Sequence, residues 1–180
     1  MKKQYLRVAI AAMAIIFSAC GTKTATDVMR VDALDASAWE ASKWISVVDA
    51  PVVTDKTGDM ENNRAADGAN WFVSTVKNEQ KVVSAKWMTT GLGVYEIFVN
   101  GQLIGEEFLK PGYTHYAKTK RSFTYDVTAA LQTDAGAENQ LSAQVTPSWW
   151  ADKIHTPHGY EGFLGKKCAF RGVLELTYAD

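Results

Sequence analysis

VYEIFVNGQLIGEEF, Val94 to Phe108, sets Asn100-Gly101 between two arms rich in β-branched and aromatic residues. A two-residue type I′ turn needs positive φ at both central positions, which Asn and Gly accept at least cost. The stretch therefore predicts an antiparallel hairpin turning at Asn100-Gly101. That turn is a sufficient reason for Asn100, without a ligand for its amide.

Short runs of the same kind, bounded by turn residues, extend on both sides. KWISVV, NWFVSTVK and VVSAKWMTT precede the hairpin, and KRSFTYDV, NQLSAQV and FRGVLELTY follow it. In the last run Phe170, Leu174, Leu176 and Tyr178 fall on one face, with Arg171, Glu175 and Thr177 on the other. That period of two is what a strand buried on one side requires. No long helical pattern is visible. DVTAAL offers Asp126 as a cap and one or two helical turns before the loop TDAGAEN. Many short strands with little helix predict an all-β fold, an antiparallel β-sandwich of jelly-roll type with at most short helical turns.

The first residues read differently. MKKQYLR is basic, VAIAAMAIIF apolar, and SAC small. The apolar run falls short of the ~20 residues that cross a bilayer, so residues 1–19 read as a signal peptide. Phe17-Ser18-Ala19-Cys20 resembles the lipobox of bacterial lipoproteins, with Phe17 where Leu is usual. The resemblance implies lipidation of Cys20, membrane attachment through that lipid alone, and residence in the periplasm or at the outer membrane or cell surface. Residues 20–36 are small and polar, a flexible tether. Residues 37–180 then form one domain.

Loss of residues 1–19 removes Lys2, Lys3 and Arg7 and takes the formal charge from −1 to −4. Such a chain carries no electrostatic footprint for nucleic acid. With Cys20 lipidated, Cys168 is the remaining thiol and no internal disulfide can form. It reads as buried filler at the start of a strand. DKTGDMENNR, Asp55–Arg64, is rich in the oxygen ligands that calcium favours, but lacks the EF-hand spacing. It reads as a solvated loop, with calcium as the alternative and no other cofactor expected. His155 and His158 flank Pro157, which breaks a helical pairing, so zinc is not indicated even with His115 nearby.

The middle of the chain carries a family resemblance. Gly91-Leu92-Gly93-Val94-Tyr95-Glu96, Asn100-Gly101, Gly105, Pro111-Gly112-Tyr113-Thr114-His115-Tyr116 and Tyr125-Asp126-Val127-Thr128 follow the order and spacing of the N-terminal domain of bacterial α-L-rhamnosidases. The resemblance runs from about residue 39 to 180. It implies a β-sandwich accessory module. There are two departures. Many members have Asp-Gly before the tryptophan that follows the long strand, where this chain has Pro147-Ser148, leaving Asp152 as a substitute. Family enzymes also continue into an α-helical barrel bearing the catalytic carboxylates, and this chain ends at Asp180.

No catalytic residue is therefore carried over. Glycoside hydrolysis needs two carboxyl groups across the scissile bond. Glu96, Glu106, Glu107, Asp126, Asp152 and Glu161 are available, and no pair stands out. Adjacent Glu106 and Glu107 in an extended arm point to opposite faces.

Trp149 and Trp150 close the run NQLSAQVTPSWW. If the strand persists they face opposite sides, one filling the core and the other outside. An exposed indole there can stack on the apolar C–H face of a pyranose. Asp152, His155, His158 and Tyr160 are the polar partners, and Tyr113 with Tyr116 supplies a second aromatic edge. The resemblance implies a non-catalytic module that assists recognition of rhamnose-containing glycans at the cell envelope. The alternative is an interaction domain, or a hydrolase fragment, that packs on the catalytic barrel and has no sugar affinity of its own.

Overall fold

A computed structural model describes residues 29–46, 69–151 and 167–180. The signal segment, Cys20, the Asp55–Arg64 loop, and Asp152, His155, His158 and Tyr160 lie outside the described residues. Among the described residues run eight strands: β1 Ile45–Ser46, β2 Asn70–Lys77, β3 Val82–Leu92, β4 Val94–Val99, β5 Gln102–Ile104, β6 Phe123–Asp126, β7 Glu138–Thr146 and β8 Ala169–Tyr178. They form two antiparallel sheets of four, ordered β1-β8-β3-β6 and β2-β7-β4-β5. This is the antiparallel β-sandwich the alternating runs predict. Short helices α1 (Ala36–Ala41) and α2 (Ser148–Ala151) and a 3₁₀ turn at Thr128–Ala130 complete it.

The chain changes sheets within one residue. β3 ends at Leu92 and β4 of the opposite sheet begins at Val94, with Gly93 between them at φ +123°. A Cβ on Gly93 would lie 2.2 Å from the Thr146 carbonyl oxygen, so no other residue fits without a backbone shift. From that corner, Tyr95, Ile97 and Val99 of β4 point inward and are at most 1% exposed. They meet Trp87 of β3, Phe123 and Tyr125 of β6, Leu141, Ala143 and Val145 of β7, and Phe170 of β8. Leu174, Leu176 and Tyr178 pack against this core, so the expected inward face of β8 is the observed one. Its opposite face carries Arg171, whose guanidinium lies 4.3 Å from the centroid of the Trp39 ring and bonds the Trp39 carbonyl and Ser42 Oγ, holding α1 on the sheet.

Asn100 and Gly101 take φ +50° and +80°, as the hairpin demands. The Asn100 amide is fully used: Nδ2 donates to Ala130 O (3.0 Å) and Asn139 Oδ1 (2.8 Å), and Oδ1 accepts from Gln140 N (2.9 Å). Asp126 caps the following turn, its Oδ1 accepting from Thr128 N (2.9 Å) and Oγ1 (2.6 Å).

The N-terminal side differs from the sequence expectation. Within the span assigned to a tether, Val31 N donates to Thr124 O and Asp126 N to Met29 O, each at 2.9 Å, so this stretch pairs with the β6 edge. Leu34 is buried at 9% exposure. Its polar composition conceals this attachment, because main-chain pairing to an open sheet edge needs few apolar side chains.

Candidate functional site

β7 does not persist through the two tryptophans. Pro147 has no N–H to continue a ladder, and Ser148 takes φ +43°. The chain leaves the sheet and closes one helical turn, with Trp150 N bonded to Pro147 O at 3.2 Å. The expected division, one indole in the core and one outside, is therefore replaced. Trp149 and Trp150 are both half-buried, and neither joins the core cluster.

The two tryptophans meet the two tyrosines of the Pro111–Tyr116 segment. Trp149 packs edge-on against Tyr113 (centroids 6.3 Å apart), Trp150 against Tyr116 (5.3 Å), and Tyr113 against Tyr116 (5.9 Å). Such perpendicular pairs favour the positive edge of one ring on the negative face of another. The four aromatics named from sequence thus form one rim cluster at the end of the sandwich.

Hydrogen bonding divides them. Trp150 Nε1 donates to Lys167 O (2.8 Å), tying the turn to the start of β8. Tyr116 is 3% exposed; its hydroxyl donates to Gly112 O (3.2 Å), and burial, helped by neighbouring Tyr113, pushes its pKa up. These two build the rim. Tyr113 is 61% exposed. Among the described residues, the Tyr113 hydroxyl and the Trp149 indole N–H have no hydrogen-bond partner. This second pair differs from the first in that its polar groups are not engaged by the described residues.

Beside the rim lies a pocket of about 390 Å³ that sequence reading did not identify, lined by Arg30, Glu107, Lys110, Gly112, Arg121 and Phe123 among others. Tyr125 Oη donates to Glu107 Oε2 at 2.6 Å, and Arg30 Nη1 lies 3.9 Å from Oε1. Burial works against ionisation of Glu107. The Tyr125 hydroxyl, its own backbone N–H, and the charges of Lys110 and Arg30 outweigh it and hold the carboxyl below its ordinary range. Lys110 is 1% exposed, donates Nζ–H to Ile104 O (2.8 Å), and has its pKa lowered by burial against the pull of Glu107 and Glu96. Nothing local in KPG marks that lysine as interior, because its partners come from β5 and β6.

The acids do not form a glycosidase pair in what is described. Glu96 is exposed on β4, Asp126 is a cap, and Glu106 and Glu107 lie in the loop after β5 rather than in an extended arm. Among the described residues, no three His, Cys, Asp or Glu side chains come together as a metal site.

The described residues thus form a β-sandwich with an aromatic cluster at one rim. The family profile described as α-L-rhamnosidase N-terminal domain matches residues 80–180, more than half of the chain. The chain belongs to that family. It is 36% identical over 148 residues to an α-L-rhamnosidase of Streptomyces avermitilis, covering 81% of this chain and 12% of that protein. It is 32% identical over 158 residues to one from Formosa agariphila, covering 82% and 16%. Among solved structures, native α-L-rhamnosidase from Aspergillus terreus superposes with TM-score 0.66 at 25% identity, over 82% of this chain and 16% of that one. The Streptomyces avermitilis enzyme complexed with L-rhamnose gives TM-score 0.57 at 35% identity, over 63% and 11%. The chain thus spans under a fifth of the relatives it matches.

Proposed function

We propose that this chain is a non-catalytic module that assists an α-L-rhamnosidase in recognising rhamnose-containing glycans at the cell envelope. The single observation that supports this is the Tyr113–Trp149 pair, half open to solvent and edge-to-face. A deoxyhexose offers an apolar C–H face and methyl group to such rings, while its hydroxyls need polar partners. Asp152, His155, His158 and Tyr160 follow the rim in sequence and belong to the proposal as those partners. Lipidation at Cys20 would keep the module at the membrane surface, and the reading needs no cofactor, the Asp55–Arg64 stretch serving as a solvated loop with calcium as the alternative.

The test is a calorimetric titration of the full chain with L-rhamnose at millimolar concentrations. Binding that weakens at least tenfold in Trp149→Ala and Tyr113→Ala supports the reading, and absence of heat with the unsubstituted chain refutes it. A second reading, docking on a catalytic domain without sugar affinity, is favoured by the length of the relatives. It predicts association with a separately expressed rhamnosidase catalytic domain that the same two substitutions abolish.

A further inference from the structure

The outer face of the β2-β7-β4-β5 sheet carries a second aromatic feature, away from the core and not part of the rim. Register places Trp71 of β2 opposite Gln144 of β7, and Glu96 of β4 on the far side of Gln144. One step along, Val73, Ser142, Phe98 and Leu103 line up across all four strands. Trp71 leans diagonally over to Phe98, ring centroids 5.4 Å apart and planes 37° from parallel. Trp71 is 53% exposed, Val73 60% and Leu103 39%.

We propose that this face is a platform for an extended glycan chain, with Trp71 and Phe98 stacking on sugar rings. Gln144, Glu96 and Gln140 would bond hydroxyls. The inference deepens the glycan reading and rests on it for the identity of the sugar.

Three observations favour a glycan over a protein partner. Aromatic side chains present about 150–250 Å² each, so the exposed apolar surface here is on the order of 300 Å². That is the size of patch that is often functional on a monomer, and it is smaller than the apolar share, on the order of 450 Å², of the ~800 Å² per partner of a stable protein interface. The apolar groups are also interleaved with amides and a carboxylate in the same rows, a mixture suited to a ligand whose faces are apolar and whose edges are hydroxyls. Finally, Trp71 sits at the end of β2 that pairs with Val145 and Gln144, next to where β7 runs out into the rim. Only Val145 to Ser148 separate Gln144, the partner of Trp71, from Trp149 along the chain. Adjacent strands are ~4.8 Å apart, close to the length of one sugar ring, so four strands span a few residues of a polymer.

The experiment compares the full chain with L-rhamnose alone and with a soluble rhamnan, a polymer of L-rhamnose, by calorimetry and by retardation in rhamnan-containing native gels. Trp71→Ala is expected to weaken rhamnan binding at least fivefold and leave L-rhamnose binding unchanged. Trp71→Phe, which keeps a ring, should recover most of the loss and serves as the check on folding. Trp149→Ala should weaken both. Rhamnan binding unaltered in Trp71→Ala, with Trp149→Ala still impaired, overturns the platform and leaves the rim reading intact. Rhamnan binding lost in Trp71→Ala but not in Trp149→Ala upholds the platform and removes the rim. No binding of either probe, or a Trp71-dependent self-association in sedimentation, overturns the platform as a glycan site.

Discussion

Asn139→Ala is expected to remove about 3 kcal/mol of stability, because this amide closes a buried network at the opposite end of β7 from the rim. Asn139 is 0% exposed. Its Oδ1 accepts from Gln132 N (2.8 Å) and Asn100 Nδ2 (2.8 Å), and its Nδ2 donates to Gln132 O (3.0 Å) and Asn78 Oδ1 (3.3 Å). Two of these partners have a second bond, since Asn100 Nδ2 also reaches Ala130 O and Gln132 O also accepts from Asn78 Nδ2. Truncation therefore strands two groups, the Gln132 backbone N–H and the Asn78 side-chain Oδ1. A buried orphan costs about 1–3 kcal/mol; Asn78 meets that condition in full and the Gln132 N–H, on a more exposed residue, in part, so with a small cavity added the loss is roughly 2–5 kcal/mol.

Against a typical total of about 5–15 kcal/mol, this is a large fraction, and it corresponds to a fall in Tm of about 6–12 °C. Urea unfolding followed by tryptophan fluorescence reads it as a lower midpoint at constant slope. Asn139→Asp separates hydrogen bonding from volume. An ionised carboxylate there would face the Asn78 and Gln132 oxygens, so the folded state should raise its pKa. The stability of that variant is then greatest below the ordinary carboxylate range and falls as pH rises through the raised value. A loss under about 1 kcal/mol in Asn139→Ala, or an Asp variant indifferent to pH, would refute the network.

Gly93→Ala is expected to cost about 3 kcal/mol or more, since its Cβ would meet the Thr146 carbonyl at 2.2 Å, whereas Gly101→Ala, with nothing within 4 Å, carries only conformational strain of about 1–2 kcal/mol. Equal urea midpoints for the two would show that the close approach at the sheet corner is absent. Glu107 has its pKa lowered by folding, so its contribution is present above the ordinary carboxylate range and fades as pH falls through the depressed value. Glu107→Gln should flatten the acid side of a stability–pH curve, and an unaltered curve would count against the Tyr125 and Arg30 contacts. Burial pushes the Cys168 thiol up to about 11, so at pH 8 only about one part in a thousand is thiolate. In a Cys20→Ser background, thiol reagent should label Cys168 only after denaturant is added, and rapid native labelling would contradict its burial.

The strands were legible because each buries one face only, and the period of two survives in the sequence. FRGVLELTY shows this most clearly, and Phe170, Leu174 and Leu176 point where the alternation puts them. The Asn100-Gly101 turn was legible because its chemistry is local. The end of β7 was harder. Pro147 is a visible breaker, but the positive φ of Ser148 and the helical turn after it depend on Lys167 and Tyr116, which the local sequence does not bring together. Lys110 and the Arg30–Glu107–Tyr125 contacts escaped for the same reason, since their partners lie in other strands and in the stretch read as tether.

That break also decides how the aromatics share their work. A continued strand would have sent Trp149 and Trp150 to opposite faces, and one would have been lost to the core. One helical turn instead keeps both at the rim, and the specialisation passes to hydrogen bonding. Trp150 and Tyr116 spend their polar groups on Lys167 O and Gly112 O. Tyr113 and Trp149 then sit on a scaffold fixed from behind, so under the proposed glycan reading a sugar need not order them. Pre-organisation of this kind lowers the entropy cost of binding. It also makes Trp150→Phe informative: the ring contact with Tyr116 survives while the Nε1–Lys167 bond is lost. If Trp150 acts by holding the turn, that substitution should weaken L-rhamnose binding and lower stability together. If Trp150 touched the sugar by stacking alone, the affinity would stay and only the stability would fall.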